Sequence, residues 1–181
     1  MKRLAISVIA IAVSCIGVAA VADDDKPGIP DEIIKTMDSF VGAWKTSGKV
    51  GDKTQSGGIT LRWSRMKNGK KVCLVGQYSF TTGDETMTGT NIVGWNSAKK
   101  CIEDRGFNDL GGNGTLYWSP KSENLLKGEF VHFKDGKEIH ATADLVKKGD
   151  AEFVLESVTD DGEVSRIVYK KAERKQRRAK D

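Results

Sequence analysis

The sequence predicts an all-β protein: an antiparallel up-and-down β-barrel of about ten strands, preceded by one short α-helix. Three observations carry this. First, the hydrophobic period switches to two at Trp44, and strand-like runs follow near 43–50, 57–66, 70–81, 86–96, 100–107, 113–119, 123–134, 137–147, 151–159 and 163–171. Second, turn chemistry separates most of these runs. Third, Phe40-Val41-Gly42-Ala43-Trp44 joins the strands to a preceding helical pattern. No later segment is long enough for a helical crossover, which disfavours a parallel sheet.

The chain opens with Met1-Lys2-Arg3, an apolar stretch from Leu4 to Ser14, and Ala20-Val21-Ala22. A basic start, a stretch shorter than the ~20 residues a bilayer needs, and an Ala-x-Ala site read as a signal peptide over residues 1–22. Lipoprotein processing at Cys15 is disfavoured, because Ala12 stands where a Leu-like residue is expected. The expected location is therefore periplasmic or secreted, with no transmembrane segment after processing. Residues 23–29, led by Asp23-Asp24-Asp25, read as a flexible, solvated start.

Residues 30–171 make up the expected barrel domain, enough for one buried core. The net charge is +4, and loss of Lys2 and Arg3 leaves +2. Residues 170–181 carry seven basic and two acidic side chains, so the body before them is at −3. Basic character thus belongs to the tail, 172–181 with Lys170 and Lys171 before it, rather than to a nucleic-acid-binding face. That tail reads as disordered, with weak contact to an anionic surface as the sharper alternative.

Pro30-Asp31-Glu32 opens the helix, since Pro suits a first helical position and acids suit the positive end of the helix dipole. Ile33, Ile34, Met37, Phe40 and Val41 recur at helical spacing up to Gly42. The helix is expected to plug one end of the barrel. Asn68-Gly69 and Asp135-Gly136 read as two-residue hairpin turns, and Asp160-Asp161-Gly162 as a three-residue loop with Gly in the left-handed region.

The turns fix the faces. Across Asn68-Gly69, Trp63 falls opposite Leu74, Leu61 opposite Gly76 and Ile59 opposite Tyr78, which makes an interior face and turns Cys73 outward. Across Asp160-Asp161-Gly162, Phe153 meets Tyr169 and Leu155 meets Ile167, with Glu156 and Arg166 paired outside. On the fourth strand Met87, Val93 and Trp95 share a face. The Gly-rich stretch Asn108 to Gly114 precedes a strand, not a helix N-terminus, so it reads as a hairpin loop and not a phosphate cradle.

Two histidines flank Asp135-Gly136. In that register His132 opposes Ile139 and His140 opposes Val131, so they face opposite sides and cannot share a metal ion. His132 joins the inward row of Leu126, Gly128, Phe130, Ile139, Ala141, Ala143 and Leu145. There it is either a satisfied core histidine or a ligand-binding one. Trp44 and Trp63 suit a packed core or a cavity wall alike. Small or hydroxyl residues at inward positions, among them Thr46, Gly76, Thr88, Thr90 and Ser157, tilt towards an unfilled interior. Cys73 and Cys101 are permitted a disulfide by an oxidising compartment, with geometry left open. No nucleophile–base arrangement, zinc spacing or Gly-x-Ser-x-Gly elbow occurs, so no enzyme and no cofactor is expected.

At Phe40-x-Gly42-x-Trp44 the chain resembles the calycin group, which includes lipocalins, fatty-acid-binding proteins and nitrobindin-like haem barrels. Gly89-Thr90-Asn91-Ile92-Val93-Gly94-Trp95-Asn96, Leu126-x-Gly128 and Asp135-Gly136-Lys137 are similar to a family of secreted bacterial lipocalin-like domains of unknown function. The resemblance spans Asp31 to Lys171 and implies a lipocalin-like barrel; with the residue pattern, the leading expectation is an exported, non-enzymatic barrel that binds a small apolar or amphipathic ligand. Trp44, Trp63, Tyr78, Phe130 and His132 would line its cavity. A haem barrel with His132 as axial ligand is one alternative, although nitrobindin-like proteins place that histidine later. A structural or interaction module filled by its own side chains is the other. The Arg-x-Tyr clamp of fatty-acid-binding proteins is absent, because Arg166 and Tyr169 are three apart.

Overall fold

A computed structural model describes residues 28–134 and 136–173. The expected signal peptide, the start of the chain up to residue 27 and the basic tail from residue 174 lie outside the described residues. A helix α1 (Asp31–Phe40) leads into ten strands: β1 (Gly42–Val50), β2 (Lys53–Arg65), β3 (Lys71–Thr82), β4 (Glu85–Asn96), β5 (Cys101–Asn108), β6 (Asn113–Ser122), β7 (Leu125–Lys134), β8 (Lys137–Gly149), β9 (Glu152–Thr159) and β10 (Val164–Lys171). Each strand pairs with its sequence neighbours, and β1 also pairs with β10, which closes an antiparallel barrel. The expected fold class is the one observed.

The joint between helix and barrel explains the Gly-x-Trp. Pro30 occupies the N-cap position, one residue earlier than expected. At the other end Gly42 takes a φ of 135°, a left-handed value that turns the chain from helix to strand at little cost only for glycine. The Trp44 indole N–H then donates to the Phe40 carbonyl at 2.8 Å. The last helical carbonyls have no intrahelical partner, so this bond satisfies one of them. Trp44 is buried edge-on against Phe153, ring centroids 5.1 Å apart.

The apolar stripe of α1 closes one end of the barrel. Ile33 and Met37 pack on inward residues Leu74, Val93, Ile102, Trp118, Leu126 and Ala143. Met37, Leu74 and Ile102 are fully buried. At the rim of the plug, Asp38 accepts from Trp63 Nε1 at 2.6 Å and from Lys71 Nζ at 2.6 and 2.7 Å. Partial burial opposes ionisation of Asp38, but the bonds from Lys71 and Trp63 outweigh it and hold the carboxyl below its usual range.

The sequence-derived registers are observed for Trp63–Leu74, Leu61–Gly76 and Ile59–Tyr78, for Phe153–Tyr169, and for His132–Ile139 with His140–Val131. One turn differs. The Met66 carbonyl accepts from Gly69 N, Met66 N donates to Lys70 O, and the register shifts between Ser64 and Arg65. The loop is therefore three residues ending in Gly69, with a bulge, rather than a two-residue Asn68-Gly69 turn. The Asn108–Gly114 stretch turns a hairpin, as expected, but the loop itself is only Asp109 to Gly112, because Asn113 and Gly114 already pair with Phe107 and Gly106. The Asn108 side-chain oxygen accepts from Leu110 N and Gly112 N at 3.0 and 2.9 Å. Cys73 and Cys101 are both free thiols, on β3 and β5 with β4 between them.

Candidate ligand site in the barrel lumen

Cross-strand pairing decides which polar side chains enter the lumen. Asn91 on β4 opposes Gly76 and Gly106, and Asp104 on β5 opposes Val93 and Leu116. Tyr78 on β3 opposes Ile59 and Gly89, while Tyr169 on β10 opposes Thr46 and Phe153. These residues share the inward row with Leu74, Val93 and Ile102. Asn91 Nδ2 donates to Asp104 Oδ1 at 2.8 Å. Burial pushes the Asp104 carboxyl up to about 6, and the Asn91 bond only partly offsets it. Burial, and then the Asp104 charge, push Tyr169 up to about 12; burial, Asp104 and Asp109 raise Tyr78. Two tyrosines thus feel one carboxylate deep in the barrel.

The wall around this group is built from glycines with large neighbours laid across them. A Cβ at Gly76 would sit 1.8 Å from Asn91 Oδ1, and one at Gly89 would sit 2.4 Å from Tyr78 Cζ. Trp118 lies over Gly128 and Phe130 over Gly114 in the same way. Side chains that run along the wall leave the axis less filled than side chains that cross it. Two stacked ring pairs face inward: Tyr78 with Phe80 at 5.1 Å on β3, and Phe130 with His132 at 5.6 Å on β7. Their strands stand four apart in a ring of ten, on roughly opposite walls.

Burial changes along the barrel axis. Near α1 the inward residues are buried, whereas Phe80, Met87, Phe130, His132, Ile139 and Ser165, towards the other mouth, are only half-buried. Asp104 and Tyr169 also keep partial exposure despite their depth. A group at the centre of a molecule retains accessible surface when it borders an internal space.

No protein-family model and no curated protein matches this chain. Among solved structures it is similar to the S-type phycobiliprotein lyase CPES from Guillardia theta, with 9% identity and a TM-score of 0.52 over 78% of this chain and 93% of that one. A redesigned β-barrel, mFAP1, bound to DFHBI, aligns at 15% identity and a TM-score of 0.42 over 75% and 98% of the two chains. The fold is calycin-like.

In this calycin-like barrel the five residues expected to line a cavity separate into two groups. Tyr78, Phe130 and His132 face the half-buried lumen. Trp44 and Trp63 stand at the plugged end, where their indole N–H groups bind Phe40 O and Asp38 and where Lys171 and Lys71 overlie their rings. Asn91 and Asp104 are lumen residues that the sequence reading missed. Their signal was present: Asn91 shares parity with Val93 and Trp95, and Asp104 with Ile102.

Another concavity, about 1430 Å³, lies across β6–β10 and is lined mainly by outward side chains. Several of its charges already pair with each other, Lys127 with Asp144 at 3.1 Å and Arg166 with Glu156 at 3.0 Å. The lumen instead holds the Asp104 carboxyl, bonded to the Asn91 amide and, among the described residues, in no ion pair, and that contrast makes it the better site. Among the described residues, no group of three or more His, Cys, Asp or Glu side chains is placed to hold a metal ion.

Proposed function

We propose that this protein is an exported, non-enzymatic carrier that binds a small amphipathic molecule inside its barrel. The observation that carries the reading is the half-burial of inward residues beyond the plug, together with polar groups at the centre of the fold that keep accessible surface. The physical reason is size. Eight strands enclose a space that side chains just fill or that holds one small ligand; ten strands enclose more, and here many inward positions are Gly, Ala, Ser or Thr. Export is supported by the signal-like residues 1–22. The likeness to CPES supports the fold; at 9% identity it brings no activity with it.

Native mass spectrometry of gently purified protein tests the proposal, with Nile red titration as a second readout. A bound small molecule or dye binding is expected, with affinity reduced about ten-fold or more in Phe130→Ala and Tyr78→Ala. A bare protein mass together with no dye binding would overturn it in favour of a filled barrel acting through its surface. Haem ligation by His132 is the alternative from the sequence, and a Soret band on haemin addition that is lost in His132→Ala would favour it.

A further inference from the structure

We infer that the lumen ligand presents a hydrogen-bond donor, and in its best form a cationic nitrogen, to the Asn91–Asp104 pair, with a flat apolar portion held between the stacked rings of β3 and β7. This rests on the reading that the lumen binds a ligand.

The argument is an imbalance of donors and acceptors. Asn91 commits one of its two amide N–H groups to Asp104 Oδ1. The Tyr78 hydroxyl donates to the Phe107 carbonyl at 3.2 Å. Among the described residues, the Asn91 Oδ1 acceptor and the Thr46 hydroxyl, which can accept or donate, are buried without a hydrogen-bond partner, at residues only 6% and 4% exposed. Buried polar atoms are otherwise nearly always bonded, and leaving one unbonded is unfavourable. Both stand on the inward face. Asn91 Oδ1 points across Gly76, where any Cβ would collide with it, so the wall is shaped to hold that oxygen in place.

Charge points the same way. The inward-facing basic residues near the plug are engaged there: Lys71 with Asp38, Lys147 with Asp150 at 3.0 Å, and Lys171 over Trp44. The titratable groups facing the lumen around Asp104 are Tyr78 on β3, His132 on β7 and Tyr169 on β10. A buried carboxylate without a counter-ion is unfavourable, and a cation placed beside it recovers much of that cost. A protonated amine, amidine or N–H heterocycle would supply both the missing charge and the missing donors. A carboxylate-headed ligand such as a fatty acid would meet repulsion instead.

The test uses one skeleton with three polar ends: 1-naphthylmethylamine, 1-naphthalenemethanol and 1-naphthoic acid, titrated calorimetrically into the purified protein at pH 7.5. The amine is expected to bind at least ten-fold more tightly than the alcohol, and the acid most weakly. In Asp104→Asn the amine's advantage should shrink to three-fold or less while alcohol binding holds; Glu156→Gln, on the outer wall, should leave the wild-type order intact. If the alcohol or acid matches the amine in wild type, or the advantage survives in Asp104→Asn, the donor inference fails while lumen binding stands. If none of the three binds, both fail. Circular dichroism melts of Asp104→Asn confirm that its losses are not losses of fold.

Discussion

Asp104 is the residue at which stability and ligand recognition oppose one another. Its folded-state value of about 6 lies above the ordinary carboxylate value of 3.8, so the folded protein holds this proton more tightly than the unfolded chain does. Stability from this group is therefore fully present below about pH 4, falls as the pH rises towards 6, and stays lost above it. Holding this carboxyl at about 6 rather than 3.8 corresponds to on the order of 3 kcal/mol. Asp104→Asn retains an acceptor for Asn91 and removes the charge. At pH 7.5 it should melt roughly 4–10 °C above wild type, while near pH 3.5 the two should coincide. Thermal melts at the two pH values check this; a variant no more stable than wild type at pH 7.5 would show that the carboxylate is solvated. Such a gain alongside weaker amine binding is the usual pattern when an active group is strained by its surroundings. The same parity rule that placed Tyr78 and Phe130 inward also places Asn91 and Asp104 there. They escaped the sequence reading because no turn with fixed geometry anchors the start of β5, and an acid in a strand otherwise reads as a surface residue.

At the scale of elements, the plug helix shows how far local chemistry specifies tertiary structure. Its apolar stripe was legible from spacing, but its attachment was not. Trp44 and Trp63 read as cavity residues because inward aromatics suit a ligand as well as a core. What separates them is the destination of their indole N–H groups, Phe40 O and Asp38, and both destinations lie on α1. Met37 is fully buried at the centre of that contact. Met37→Ala should lower stability by about 2–5 kcal/mol through lost transfer energy and the cavity left behind. Urea denaturation would show this as a lower midpoint with an unchanged slope. A loss below about 1 kcal/mol would mean that α1 is docked loosely and does not seal the barrel. The bulge near Asn68-Gly69 marks another limit of local reading: the register over most of the hairpin followed from the turn residues, but the loop length at its tip did not.

For the whole molecule, closure is what turns ten hairpin-linked strands into a container. In an open sheet β1 and β10 would be edges with unpaired backbone groups; here seven residues of β1, Trp44 to Val50, run in register with Lys171 back to Ser165. This pairing is the contact of longest sequence separation in the ladder, and no motif announces it. The chain's period and turns implied many antiparallel strands, whereas closure follows from accumulated twist and from the apolar inward face that an open sheet would leave wet. Hydrogen exchange followed by mass spectrometry tests it. Peptides from β1 and β10 should be protected to a degree similar to those from β3 and β8, because opening the seam exposes the shared core. Exchange in β1 and β10 that is a hundred-fold or more faster than in those strands would indicate a seam that opens independently, and would give the lumen a side entrance in place of the mouth opposite α1. A ligand that binds only the closed form adds to this protection in proportion to its occupancy. Repeating the exchange with 1-naphthylmethylamine present should therefore slow β1 and β10 along with β4 and β5, which reports in one experiment whether the seam and the Asn91–Asp104 site belong to the same cooperative unit.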